Sequence, residues 1–180
     1  MEKVRSQLTH ADIVHFSCHG KANLNDPLNS GLLMSDGLLT LKDIFALKLG
    51  DRGGIRLAIL SACETGLAGT ENADEAISLP TGLLQAGVAG VVASLWEVSE
   101  LSTMVLLSRF YTLWRDQHLA PAQALLEAQQ WLRDAEPRDV VAHCETFIPE
   151  LASRTGNLYR ALRLDFSHPY YWAAFSYTGV

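Results

Sequence analysis

Runs of apolar residues with little polar alternation mark four strands, at about 12–17, 56–62, 90–96 and 172–178. The first three are rich in Val, Ile, Leu and Ala. Strands covered on both faces have this composition, whereas a half-exposed strand alternates. The segment 172–178 alternates Trp172, Ala174 and Ser176 with Ala173, Phe175 and Tyr177, and reads as a closing strand packed under helices.

Helical periodicity fills the intervals between these strands. Thr40 reads as the N-cap of a short helix over about 41–47, with Asp43 three residues on and Gly50 beyond its end. A second helix spans about 75–86 and stops at Gly87. The clearest runs from Ser99, its expected N-cap, to about His118, with Leu101, Met104, Val105, Tyr111 and Trp114 on one face. Pro121 opens another, carrying Ala122, Leu125, Leu126, Gln129 and Leu132 at helical spacing. Residues 137–165 read as helical in part. Strands alternating with helices predict an α/β fold built on a mostly parallel sheet with right-handed crossovers.

Two of the strands end on reactive side chains. The run Ile13-Val14-His15-Phe16 leads to Cys18-His19-Gly20, and Leu57-Ala58-Ile59-Leu60 leads to Ser61-Ala62-Cys63. Ligands gather outside the carboxyl ends of parallel strands, so a histidine and a thiol at two such ends are expected in one crevice. A thiol nucleophile and its base need that juxtaposition. The loop after Cys63 holds Gly66 and Gly69, as expected where backbone approaches a substrate. His15, inside its strand, reads as a satisfied core or near-core histidine, and His19, past the strand end, as the base.

Length and composition narrow the rest. The chain has 180 residues, 48% of them apolar, enough for one core and a single domain over 1–180. A net charge of −6 with scattered Lys and Arg gives no footprint for nucleic acid. The Met1 end has no signal-peptide core and no stretch is long enough to span a bilayer, so neither a membrane partner nor secretion is expected, and the chain reads as cytoplasmic. Three cysteines, Cys18, Cys63 and Cys144, form neither an even disulfide set nor a C-x-x-C pattern. Cys18 and His19 alternate on an extended backbone, so His15, Cys18, His19 and Cys63 are not expected to converge on a metal, and no cofactor is expected. Cys144 reads as structural.

The segments HFSCHG (15–20), LSACETG (60–66), LPTGLLQAGVAGVVASLW (79–96) and HPYYWAAF (168–175) together resemble the CHAT family, a caspase-like peptidase domain that accompanies tetratricopeptide repeats. The resemblance implies a three-layer α/β/α caspase-like fold and a cysteine endopeptidase working through a His19/Cys63 dyad and an acyl-enzyme. It implies an oxyanion hole formed by the Gly20 and Cys63 N–H groups. The family carries Trp-x-Val-x-Asp where this chain has Trp96, Val98 and Glu100, and in related separases the acidic residue reads a basic side chain. Trp96, Glu97 and Glu100 are thereby candidates for substrate binding, although Glu100 also suits the first turn of a helix. A protein or peptide substrate and tetratricopeptide-repeat segments are the expected partners. The family carries a further strand and helix ahead of its histidine, so the chain is expected to be short at the N-terminus, with a sheet edge open. Two other readings share these residues: a non-catalytic interaction module of the same fold, and a cysteine-dependent acyltransferase or amidase.

Overall fold

The computed structural model describes residues 1–21, 23, 25–61, 78–97, 99–147 and 165–180. They fall into two compact units, Met1–Glu97 with Phe175–Val180, and Val98–Ala174.

The first unit is built on β1 (Ile13–Phe16), β5 (Leu57–Leu60), β6 (Gly90–Ser94) and β7 (Phe175–Gly179), in the order β1-β5-β6-β7. The first three are parallel and β7 runs antiparallel to β6. Every residue of β5 and β6 is buried, as their unbroken apolar runs require, while β1, at the edge, alternates exposed and half-buried positions. The sequence places these four strands within a few residues. The closing strand begins later than expected. Trp172 lies instead in a helical turn, Pro169–Trp172, where its Nε1–H donates to the Ser167 carbonyl at 3.0 Å.

Between β1 and β5 lies a second sheet that the apolar runs did not disclose. Strands β2 (His19–Lys21), β3 (Gly31–Met34) and β4 (Gly37–Thr40) form an antiparallel meander. Its tight turn is Ser35-Asp36, closed by Gly37 at φ 145°. Asp-Gly between two short apolar runs is a hairpin signal, so this element was legible.

The helix α1 (Glu2–Leu8) precedes β1, α2 (Leu41–Ala46) follows β4, and α3 (Leu79–Gln85) precedes β6. Thr40 caps α2 as expected: its Oγ1 accepts from the Asp43 N–H and Asp43 Oδ2 accepts from the Thr40 N–H, both at 3.1 Å. Burial opposes ionisation of Asp43, but those Thr40 bonds and the Arg5 guanidinium, 2.9 Å away, hold its carboxyl below the usual range. Leu32, Leu39, Leu41, Ile44, Ala58, Leu60 and Leu83 form one core. Gly82 lets α3 meet α2, since a Cβ there would lie 2.5 Å from Leu41 Cδ2. The described part of the helix expected over 75–86 is 79–85; it ends before Gly87, at φ 100°.

The second unit is helical. The helix α4 (Glu100–Tyr111) continues as a wider turn, Thr112–Asp116, in which the Gln117 N–H reaches the Thr112 carbonyl at 3.2 Å. His118 at φ 59° closes it. Ser99 occupies the N-cap position, yet its side chain makes no capping bond. The helix α5 (Pro121–Asp134) starts on Pro121 as expected, and α6 (Pro137–Phe147) is the described part of the 137–165 region. Val105, Leu106 and Phe110 of α4, Ala124, Ala128 and Leu132 of α5, and Val140 of α6 are buried. No described helix is long and apolar enough to cross a membrane.

Candidate active site

The register of β1 on β5 sets where the two strands end. Phe16 pairs with Leu60, so the carboxyl ends of the two strands lie level, and His19 and Cys63 each come three residues later. Beyond the last rung the pairing continues. The Ser61 N–H donates to the Phe16 carbonyl at 3.0 Å. Ser61 Oγ lies 3.3 Å from the same carbonyl and 3.0 Å from His15 Nε2. A single serine thus ties both strands together immediately before the chain leaves for Cys63. Cys63 itself, Ala62 and the glycine-containing loop lie outside the described residues.

The two histidines sit differently, and His15 is an exposed position of the edge strand rather than a core one. His15 is hydrogen-bonded within the strand pair, and partial burial pushes its pKa below the ordinary 6.5, which keeps the ring neutral near pH 7. His19 is in β2, opposite Leu33, and is exposed. Its imidazole makes no hydrogen bond among the described residues. Gly20 pairs with Leu32.

Cys18 is half-buried in a bend just before β2, whereas His19 is exposed. Cys18 packs against the core and burial pushes its thiol pKa up. Among the described residues, no cluster of three or more His, Cys, Asp or Glu side chains is placed to hold a metal. Cys144, on α6, is also half-buried, and burial and then the Glu145 charge push its pKa up. A raised pKa lowers the thiolate fraction of both thiols near neutral pH.

Trp96 and Glu97 follow the carboxyl end of β6, which is parallel to β5. Trp96 is half-buried and Glu97 exposed. Glu100 is exposed in the first turn of α4, in the second unit, where its charge meets the helix N-terminus. The sequence reading missed two neighbours of the site. The Ser61–His15 bond depends on strand register, for which no local signal exists. Leu33 lies beside His19 because β2 pairs with β3, and that pairing too has no local signal in the sequence.

Among protein families, the CHAT domain model matches residues 1–180, the whole chain. The curated proteins give no match.

Proposed function

Since the chain belongs to the CHAT domain family, which is related to caspase-like cysteine peptidases, we propose that it is a cysteine-type endopeptidase. In this reading residues 1–180 form one caspase-fold domain, and the mixed α/β architecture with its mostly parallel sheet is consistent with that fold. The observation that carries the proposal is the level pairing of Phe16 with Leu60, from which His19 and Cys63 are equidistant along the chain.

The chemistry then follows. Cys63 Sγ, its proton taken by His19, attacks the peptide carbonyl carbon and the carbonyl π electrons move to oxygen. The N–H groups of Gly20 and Cys63 stabilise that oxyanion; loss of one such donor typically costs about 3 kcal/mol of barrier. Collapse of the adduct breaks the C–N bond, and the imidazolium returns its proton to the departing amine. Water, deprotonated by His19, resolves the thioester. By the family's pattern Trp96, Glu97 and Glu100 are the candidates for binding the residue before the scissile bond, where a carboxylate favours Arg or Lys. The substrate is a protein or peptide, and tetratricopeptide-repeat segments of the same or another chain bring it in.

The test is a peptide acyloxymethyl ketone applied below one equivalent near neutral pH, followed by peptide mapping. Cys63 is expected to take the label, and His19→Ala to slow it sharply. Labelling of Cys18 or Cys144 first would remove Cys63 as the nucleophile.

A further inference from the structure

The two faces of the β2–β3–β4 sheet differ in a way that bears on substrate choice. Leu32 and Leu39, paired across β3 and β4, are fully buried. Alternation therefore turns the neighbouring row, His19 of β2, Leu33 of β3 and Leu38 of β4, to the opposite face. Along that row His19 is exposed, Leu33 is 51% exposed and Leu38 is half-buried. Directly opposed residues of an antiparallel pair have Cβ atoms about 4.5–5.5 Å apart, so an open isobutyl group is the immediate neighbour of the imidazole. The apolar strip is short. Lys21, on the same face two residues along β2, faces Gly31, which offers no side chain.

We propose that Leu33, backed by Leu38, receives the substrate side chain immediately after the scissile bond and gives the protein a preference for an apolar residue there. The inference rests on the peptidase reading of His19. An imidazole that hands a proton to the departing amine stands on the amine's side of the carbonyl. What flanks that imidazole meets the residue to which the amine belongs. An exposed leucine there discriminates by burial of apolar surface: a complementary aliphatic side chain shields it, whereas a charged one is desolvated against it without a partner.

A peptide library varied only at the position after the cleaved bond tests this on the full chain, with wild type, Leu33→Ser, Leu33→Asp and Leu33→Met. Wild type is expected to cleave before Leu, Ile, Met or Phe at least tenfold faster than before Asp or Lys. Leu33→Met keeps that order, Leu33→Ser flattens it, and Leu33→Asp shifts it towards Lys and Arg. Alkylation of Cys63 by iodoacetamide, which has no leaving-side residue to seat, reads thiol and base separately in the same samples. Cys63-dependent cleavage with a preference that neither Leu33→Ser nor Leu33→Asp moves would overturn the Leu33 assignment and leave the peptidase reading standing. Absence of any Cys63-dependent cleavage in wild type would overturn that reading and the Leu33 assignment with it.

Discussion

His19 and His143 occupy contrasting settings. His143, on α6, is held from several sides. Its Nε2 lies 2.9 Å from Ser108 Oγ of α4, its ring packs on Trp131 of α5 and on Phe147, and Arg109 lies over the same Trp131 ring at 5.2 Å. Burial, then the Arg109 charge, pushes its pKa down. His19 is exposed and its ring makes no hydrogen bond among the described residues, beside strand ends that are themselves hydrogen-bonded. The difference teaches where to look for chemistry: a histidine satisfied by its own fold joins elements, and one left open on a rigid frame is free to serve a reaction.

The comparison is broken most sharply by deleting each imidazole. His19→Ala is expected to lower kcat/KM by roughly 10²–10⁴-fold, the usual scale for a general acid–base, with no change in melting temperature. His143→Ala does the reverse, removing about 1–2 kcal/mol of stability through the lost hydrogen bond and ring packing while the folded molecules keep their turnover. Paired calorimetry and peptide turnover separate the two; a large activity loss in His143→Ala with an unchanged melting temperature would erase the distinction.

The serines that hold these regions give the next largest effect. Ser61→Ala and Ser108→Ala each lose a hydroxyl that meets a histidine and should cost about 1 kcal/mol, measured by denaturant unfolding. Only Ser61→Ala is expected to change the rate at which iodoacetamide alkylates Cys63, because Ser61 fixes the strand pair that leads to it. Equal alkylation in wild type and Ser61→Ala would confine that serine to stability.

A smaller effect comes from pH. Both His15 and His143 have folded pKa values below the ordinary 6.5, so the unfolded chain takes up protons first as the solution is acidified. Stability contributed by the neutral rings is complete above 6.5 and declines as pH falls through 6.5 towards the lower folded values. Denaturant midpoints at pH 7.5 and 5.5 should differ accordingly, and His143→Gln should narrow the gap. An undiminished gap in that variant would assign the dependence elsewhere.

The smallest effect tests Glu100. If the carboxylate served only the start of α4, Glu100→Gln would change stability by well under ~1 kcal/mol and leave cleavage preference alone. The proposed role in substrate binding instead predicts a loss of preference for Arg or Lys before the scissile bond, read with a positional peptide library. A wild-type preference for an apolar residue at that position would remove Glu97 and Glu100 from that role.

What the sequence determined by itself was whatever rests on local chemistry. Unbroken Val, Ile, Leu and Ala runs specified β5 and β6, because a strand with no polar face must be covered on both. Thr40 and Asp43 set the start of α2 and Pro121 that of α5, since capping needs only neighbours in the chain. The same locality named His19, Gly20 and Cys63 as residues just past strand ends and His15 as one inside its strand. Register and direction belonged to the tertiary structure. That Phe16 lies level with Leu60, that β7 runs antiparallel to β6, and that Ser61 meets His15 all depend on pairing between segments far apart in the chain. So does the place of Leu33 beside His19: a shift of one residue along β2 would turn either side chain to the other face, and no pattern within one strand fixes that.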